Sequence, residues 1–358
     1  MTSLVVQTSF LGDVVLTTPL IAELAKRGPV DVLTSPEGSA ILANNPHIRN
    51  VILFDRRGAD RGVSGFARTV GRIRHTGLYG SRESATPVAG EDRDYKVAYL
   101  CQGSFRSAFL ILATGIRKRI GFNTSEGSRL YTDRVEYRSD KHHVERLWWL
   151  SMSPCADPQS REQIAPRLFP GDDDERAVAT LMREHLLDDK RPVVVLAPGS
   201  AWATKRWPFY HELAAKACAH ANVAVIGGNA DVVTGDAIVK QLPQGCAVNA
   251  AGRLGILASA ALIGRAAALV TNDSAPQHLA SAMNTPTISI FGPTVPEFGF
   301  GPLSDRSTVV GNDELGCRPC DRHGPARCPL GHWRCMRELS PDRIFDHLSN
   351  TLSYASNT

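Results

Sequence analysis

The chain has no hydrophobic run of the ~18–20 apolar residues that a membrane-spanning helix needs. The first apolar segment is interrupted by polar and small residues, and no basic segment precedes it, so the pattern differs from that of a secretory signal. These absences predict a cytoplasmic protein whose contact with a membrane, if it has any, is peripheral.

Strong charge of either sign is also missing. The formal net charge is +4, which favours an anionic substrate or surface but is too small to indicate nucleic-acid binding by itself. Residues 56–93 are rich in arginine, which suits a phosphorylated acceptor, or else forms a solvated surface. Only Phe66 and Tyr79 interrupt that segment, so it lacks the interleaved aromatic residues of single-strand nucleic-acid sites.

The glycine pattern of dinucleotide-binding enzymes, G-x-G-x-x-G, does not occur after any predicted strand, which disfavours an NAD enzyme. The nearest feature is Gly227-Gly228, which follows a strand and precedes Asp231. This arrangement resembles a loop that contacts a ribose.

Four of the 8 cysteines are clustered with the spacing C-x2-C-x7-C-x6-C, namely Cys317, Cys320, Cys328 and Cys335. Four thiolates suit a tetrahedral structural zinc site, with His323 and His332 as spare ligands. The alternative is that these cysteines are reduced or redox-labile. A catalytic metal is not expected, because four thiolate ligands leave no open coordination position.

Short apolar runs alternate with helical patterns, which predicts an α/β fold with doubly wound parallel sheets. A chain of 358 residues exceeds the roughly 250–300 residues that one core supports, so two domains are expected. Composition shifts to Pro, Asp, Gln and Arg at 156–174, which we interpret as a linker. We predict domains at 1–165 and 166–335, and a helix within 336–358 that packs back on the N-terminal domain.

Ligands of such folds bind at the carboxyl ends of the strands, so the cleft between the halves is the expected site. Ser9, Gly12 and Asp13 follow the first strand, where Gly12 allows a close turn. Asp13 would then accept a proton from a sugar hydroxyl. The alternative is that Asp13 only caps a helix.

In the second half, a strand ends before a glycine-containing loop with Ser200, Thr204 and Lys205. Backbone N–H groups, hydroxyls and the lysine could hold a diphosphate, unless this is a solvated basic loop. Another strand ends at Asp273 and Ser274, before a helix that contains His278. That helix start could bind phosphate, or its polar residues could simply cap it.

Together, these residues resemble the ADP-heptose:lipopolysaccharide heptosyltransferases of glycosyltransferase family 9, with features of the heptosyltransferase II-type subgroup. The resemblance extends over nearly the full chain. It rests on four segments in order, which are Thr8-Ser9-x-x-Gly12-Asp13, Gln102-Gly103-Ser104-Phe105-Arg106-Ser107-Ala108, Pro198-Gly199-Ser200 with Lys205-Arg206-Trp207-Pro208, and Thr271-Asn272-Asp273-Ser274 with His278 and Phe291-Gly292-Pro293-Thr294.

The resemblance implies a GT-B architecture, with two Rossmann-like domains facing a central cleft, and an inverting transfer that requires no cofactor. The expected reaction moves heptose from ADP-heptose to the inner core of lipopolysaccharide, at the cytoplasmic face of the inner membrane. Asp13 is the implied catalytic base. The implied donor-binding residues are Ser200, Thr204, Lys205, Asp231, Asp273, Ser274, Ala275 and His278. The implied acceptor-binding residues are Ser9, Gly12, Ser104, Arg106 and Arg119.

One departure from the family pattern is Ala275-Pro276, where the family usually has glycine after the Asp-Ser/Thr pair. The added methyl group and missing N–H alter the predicted phosphate cradle. A related transferase that uses another nucleotide sugar for a different surface polysaccharide therefore remains an alternative. A second alternative is a non-catalytic, zinc-stabilised module that binds anionic glycans or nucleic acid.

Overall fold

The computed structural model describes residues 1–79, 95–152, 160–185 and 190–355. The chain divides into two compact units, Met1–Pro166 and Arg167–Thr358. Residues 80–93 of the arginine-rich segment lie outside the described residues, as do positions 156–159 of the predicted linker.

The first unit is built on one parallel sheet. Its strands are β1 (Ser3–Gln7), β2 (Val30–Thr34), β3 (Asn50–Leu53), β4 (Val97–Leu100), β5 (Lys118–Phe122) and β6 (Asp133–Val135). Its helices are α1 (Leu11–Leu16), α2 (Thr18–Ala25), α3 (Pro36–Leu42), α4 (Gly62–Tyr79), α5 (Phe105–Thr114) and α6 (His143–Trp149). The strands pair in the order β3-β2-β1-β4-β5-β6.

The second unit also contains one parallel sheet. Its strands are β7 (Val193–Ala197), β8 (Asn222–Val225), β9 (Ala247–Asn249), β10 (Ala268–Asn272), β11 (Thr287–Phe291) and β12 (Ser307–Gly311). Its helices are α7 (Asp172–Glu184), α8 (Tyr210–Cys218), α9 (Val232–Val239), α10 (Ile256–Arg265), α11 (Ala275–Met283), α12 (Arg334–Arg337) and α13 (Pro341–Ala355). The strands pair in the order β12-β11-β10-β7-β8-β9.

The two sheets have the same connectivity, because in each one the first strand lies at the centre beside the fourth strand of its unit. The central strands are short apolar runs buried on both faces, as a parallel sheet covered by helices requires. The predicted α/β class with two doubly wound parallel sheets is confirmed. Each sheet reverses its strand order between its first and fourth strands, which is where such folds bind ligands.

The C-terminal helix differs from the prediction. Ile344, Leu348 and Leu352 of α13 are buried in the hydrophobic core of the second unit, where the helix packs against α8. The expectation that 336–358 packs back on the N-terminal domain is therefore wrong for this helix. Its apolar stripe predicts a packed helix but carries no information about which core it joins.

Two further features concern cysteine pairing and membrane insertion. Cys218 at the end of α8 forms a disulfide with Cys246 before β9, a pair that the cysteine spacing does not predict. Among the residues the structure describes, no helix is long and apolar enough to span a bilayer.

Candidate active site

Asp13 lies just beyond the carboxyl end of β1, in the first turn of α1. The N-cap position of that helix is Phe10, so Asp13 is not the N-cap residue of α1. The hydroxyl of Ser9 donates to Asp13 Oδ2 at 2.7 Å. About a fifth of the Asp13 side chain (20 %) is exposed, so the carboxylate is held in place yet remains accessible to a substrate.

Buried Gln7 fixes the geometry of this turn. Its Nε2 donates to Thr17 Oγ1 at 3.1 Å, and Thr17 Oγ1 donates to the Asp13 carbonyl at 2.7 Å. Gln7 Oε1 lies 2.8 Å from Ser9 Oγ. Gly12 is the second residue of α1, so the connecting turn comes before it rather than at the glycine itself.

His143 also faces Asp13, a contact that the sequence pattern does not predict. Its Nε2 lies 3.8 Å from Asp13 Oδ1, and the ring is largely buried at the start of α6. The preceding His142 has a different task, because its Nδ1 accepts the Val144 N–H as the helix cap. Two adjacent histidines are visible in the sequence, but only the fold shows which of them reaches Asp13.

The loop after β4 meets the loop after β1 through Gln102. Its Nε2 donates to Thr8 Oγ1 and to Ser107 Oγ, both at 2.6 Å. This contact brings Ser104, the N-cap residue of α5, to the same edge of the sheet as Ser9. Arg106 follows in α5, with its guanidinium 5.4 Å from the centre of the Phe54 ring.

Arg119 is not part of that group. It is the second residue of β5, so it lies at the amino end of its strand. Its guanidinium donates to the carbonyls of Leu130, Ile116 and Arg117 at 2.6 to 3.0 Å. These bonds stabilise the strand and its neighbours, and the geometry gives no support for an acceptor-binding role.

In the second unit, Lys205 and Asp273 come together at the carboxyl ends of β7 and β10. The distance from Lys205 Nζ to Asp273 Oδ2 is 2.6 Å, and both side chains are nearly buried. Asp273 Oδ2 also accepts the Thr294 hydroxyl at 2.6 Å, and Oδ1 accepts Gln277 Nε2 at 3.1 Å. The carboxylate therefore has partners on both oxygens, and its orientation is fixed.

The other predicted residues of the β7 loop have distinct surroundings. Ser200 is partly exposed, and its carbonyl accepts two bonds from the Arg206 guanidinium at 2.9 and 2.7 Å. Thr204 is buried and its hydroxyl donates to the Pro325 carbonyl, so its side chain stabilises the loop through the cysteine-rich segment. Asp231 packs on Gly199, where an added Cβ would lie 2.5 Å from Asp231 Oδ1.

Helix α11 begins beside the Lys205–Asp273 pair. Ser274 is its N-cap residue and Ala275 its first residue, and both are partly exposed. Pro276 follows, so one N–H group is missing from the helix start. His278 is buried against the Phe300 ring, with the ring centres 6.5 Å apart.

The structure gives no support for the predicted zinc site at the cysteine cluster. In the parts of the chain that the structure describes, no three His, Cys, Asp or Glu side chains are arranged to hold a metal ion. Burial, together with the nearby Cys320 thiol, raises the pKa of Cys335 to about 11. Burial would also raise the pKa of Cys328, but hydrogen bonds from its own loop's backbone lower it below the ordinary value. The four thiols are nevertheless close enough to influence one another, because burial raises the pKa of Cys320 and the neighbouring Cys317 and Cys328 raise it further.

The cysteine-rich segment instead packs on the β7 loop. Gly324 has a φ of +86°, and a Cβ added there would lie 3.0 Å from Lys205 Cε. Nearby, the Cys320 N–H donates to the Pro293 carbonyl at 2.8 Å. The segment therefore supports the stem of Lys205 and the loop that follows β11.

Gly324→Ala is expected to lower the free energy of unfolding by about 1–2 kcal/mol, because the left-handed backbone is strained for alanine. Urea unfolding measures this change. Gly316→Ala is the matched control, since its Cβ would meet nothing within 4 Å. That control should stay within about 0.5 kcal/mol of the unsubstituted protein. Equal stabilities of the two variants would contradict the role assigned to Gly324.

Comparison with known proteins identifies the family. The model for glycosyltransferase family 9 (heptosyltransferase) matches residues 91–330. Lipooligosaccharide heptosyltransferase 2 of Haemophilus influenzae is 25 % identical over 99 % of this chain and 100 % of its own length. Lipopolysaccharide heptosyltransferase 2 of Escherichia coli is 27 % identical over 98 % of each chain.

Among solved structures, the ADP-heptose LPS heptosyltransferase II of E. coli has a TM-score of 0.77 and 24 % identity. The match covers 99 % of this chain and 100 % of that one, so the two share their fold over the whole length. The family model covers well over half of the chain. The protein therefore belongs to glycosyltransferase family 9, the heptosyltransferase family, as its motifs predict.

Proposed function

We propose that this glycosyltransferase moves heptose from ADP-heptose to the inner core of lipopolysaccharide, with inversion at the anomeric carbon. The observation that carries the proposal is the accessible Asp13 carboxylate, held by Ser9 at the point where the first sheet reverses its strand order. The printed names of the relatives, which specify lipopolysaccharide or lipooligosaccharide heptosyltransferases, support the choice of sugar and acceptor.

In the proposed reaction, an acceptor hydroxyl oxygen bonds to the anomeric carbon as the bond from that carbon to the phosphate oxygen breaks. ADP leaves with the electron pair of the broken bond. Asp13 accepts the hydroxyl proton, and Ser9 keeps the carboxylate oriented by its hydrogen bond. The nearby His143 ring limits the directions from which a substrate reaches Asp13.

The donor diphosphate is assigned to the second unit. Lys205 neutralises the charge that develops on the leaving group, and the N–H groups at the start of α11 bind phosphate oxygens. Ser200, Ser274 and Ala275 are partly exposed beside this position. Thr204, Asp273 and His278 are more enclosed, so we assign them to supporting the site, while Asp231 keeps its proposed place near the ribose.

The acceptor is assigned to the first unit, where Ser9 and Ser104 lie on the two loops joined by Gln102, and Gly12 follows the first of these loops in α1. Arg106 adds a positive charge suited to an acidic or phosphorylated core sugar. Arg119 is not needed in this assignment, because its guanidinium already donates to backbone carbonyls.

The test is a transfer assay with purified protein, ADP-heptose and heptose-deficient lipopolysaccharide core. Product of the expected mass supports the proposal. In parallel, ADP at 100 times its Kd should stabilise the protein by about 2.7 kcal/mol, which a thermal shift detects. No product together with ADP stabilisation would overturn the heptose assignment and leave a nucleotide-dependent transferase. Neither product nor stabilisation would overturn the donor site as well.

A different nucleotide sugar is the second candidate, and the observation that favours it is Ala275-Pro276 at the start of α11. The methyl group and the missing N–H change how phosphate and the sugar beside it fit there. Competition among ADP, UDP and GDP in the thermal-shift assay separates the candidates. A larger shift with UDP or GDP than with ADP would favour this alternative.

We propose a cytoplasmic location with peripheral contact at the inner-membrane surface through the first unit. Phe105, Phe109 and Leu112 form an exposed apolar stripe along α5. The Phe66 ring of α4 stacks on Phe109 with centroids 5.5 Å apart. Exposed arginines of α4 follow in the same helix, namely Arg68, Arg72 and Arg74. Apolar groups beside arginines suit an anionic bilayer surface.

The double substitution Phe105→Ser and Phe109→Ser is expected to weaken binding to phosphatidylglycerol vesicles at least about tenfold, because less apolar area is buried on binding. Vesicle co-sedimentation measures the change. Val233→Ser on α9 is the control, since Val233 is an exposed apolar residue of the other unit. Equal vesicle binding by the double variant and the unsubstituted protein would remove this surface from the proposal.

A further inference from the structure

Asn272, the last residue of β10, has a completely buried side chain with four polar contacts. Its Oδ1 accepts the Trp207 N–H at 3.1 Å and the Tyr210 hydroxyl at 3.3 Å. Its Nδ2 donates to the carbonyls of Pro198 and Gly199, at 2.9 and 3.4 Å. One side chain thus contacts both ends of the loop 198–207.

That loop carries the residues assigned to the donor diphosphate. Ser200 and Lys205 lie between the two ends that Asn272 holds, and Lys205 pairs with Asp273, the residue next to Asn272. The amide therefore links the β7 loop to the β10 strand end immediately beside the ion pair. By holding the loop, Asn272 keeps Lys205 close to the Asp273 carboxylate, although Asn272 does not contact the lysine itself.

The four contacts require an amide. A buried carboxylate can accept from Trp207 and Tyr210 but has no hydrogen to donate to Pro198 or Gly199. Burial raises the pKa of Tyr210 well above its ordinary value, so its hydroxyl remains a donor to Asn272. An apolar residue at this position would leave the two donors and the two carbonyls without their hydrogen bonds to residue 272. Unsatisfied polar groups in a buried site lower the stability of the fold.

The two ends of the loop are not equally dependent on Asn272. The Trp207 end has a second anchor, because the indole Nε1 donates to the Leu339 carbonyl at 2.9 Å. The Trp207 ring also packs edge-on against Tyr210, with the centroids 5.2 Å apart. Loss of the Asn272 donors should therefore release mainly the Pro198–Gly199 end, and with it Ser200.

We propose that Asn272 is a positioning residue of the donor site, which holds the loop 198–207 in the geometry that binds the nucleotide diphosphate. The nature of the ligand rests on the proposed function, whereas the effect on the loop does not. Asn272 acts through Ser200 and Lys205 and makes no contact with the substrate in this proposal.

The discriminating variant is Asn272→Asp, which keeps the acceptor oxygen and replaces the donor nitrogen by an oxygen that faces two carbonyls. We expect the Kd of ADP, measured by calorimetry, to rise at least about tenfold, the loss of one or two buried hydrogen bonds. In transfer kinetics the KM of the donor should rise, while the KM of the acceptor stays unchanged. Hydrogen–deuterium exchange should become faster in 199–206.

Asn222→Asp is the matched control, because Asn222 is also buried but lies at the amino end of β8, away from the loop. It should lower the unfolding temperature without changing the ADP Kd of the folded protein. If Asn272→Asp does not fold, Asn272→Ala removes the same donors without adding a buried charge. It should show the same faster exchange.

Three results would overturn the inference. They are an unchanged ADP Kd in folded Asn272→Asp, an equal loss of affinity in Asn222→Asp, and unchanged exchange of 199–206. Absence of ADP binding by the unsubstituted protein would instead refute the proposed function. The exchange measurement needs no nucleotide, so it would still decide whether Asn272 holds the loop.

Discussion

Asp13→Asn is expected to reduce kcat by about 10²–10⁴-fold while the affinity for ADP stays unchanged. The amide has nearly the shape of the carboxylate and can still accept the Ser9 hydroxyl through its oxygen. It cannot accept a proton from the acceptor, so only the chemical step is lost. Initial rates of heptose transfer, followed by the release of ADP, measure this effect.

The control for this variant is Asp140→Asn. Asp140 is an exposed carboxylate of the same unit that pairs with Arg138. Its loss should change kcat less than twofold, because an exposed ion pair contributes little to the fold. Turnover of Asp13→Asn equal to that of the unsubstituted protein would exclude Asp13 as the base. His143 would then be the next candidate, since its Nε2 is 3.8 Å from Asp13 Oδ1.

Lys205→Ala is expected to have the second-largest effect, raising the Kd of ADP about tenfold or more and lowering kcat about 100-fold. The substitution removes the lysine charge that attracts the diphosphate in the bound donor and that stabilises ADP as it leaves. In addition, Asp273 is left as a nearly buried carboxylate whose remaining donors among the described residues, Thr294 and Gln277, are neutral. Its negative charge then repels the incoming phosphates.

Calorimetry with ADP and single-turnover transfer rates separate the two parts of that prediction. Lys216→Ala is the matched control, because Lys216 lies on α8 of the same unit and pairs with Asp342 at the surface. It should bind ADP normally. A Lys205→Ala variant with unchanged ADP affinity and unchanged rates would remove Lys205 from the donor site.

Sequence reasoning could predict the candidate residues that depend on strand order. Ser9, Asp13, Ser200, Lys205 and Asp273 all follow predicted strands, and parallel strands end at the same edge of a sheet. The pattern of short apolar runs thus predicts that such polar residues cluster within each unit. This prediction requires only the order of the strands, not the direction of each side chain.

Other features depend on side-chain direction or on contacts between distant segments, which a local pattern does not encode. Thr204 and Arg119 are predicted to bind the donor and the acceptor, yet their side chains bond to backbone carbonyls. His143 reaches Asp13 only because α6 packs near α1. The cysteine spacing suits zinc, but no three possible ligands among the described residues are arranged to hold a metal ion.

The anchoring of the β7 loop by Asn272 has a consequence for how the chain is made. The Asn272–Pro198 hydrogen bond joins residues 74 positions apart. At a translation rate of about 5–20 residues per second, the loop is synthesised about 4–15 s before its anchor. During that interval β7 has no β10 beside it, so the loop 198–207 has been synthesised but lacks the contacts that fix its conformation. A nascent chain interrupted between Lys205 and Asn272 would therefore carry the lysine without the ability to bind a nucleotide.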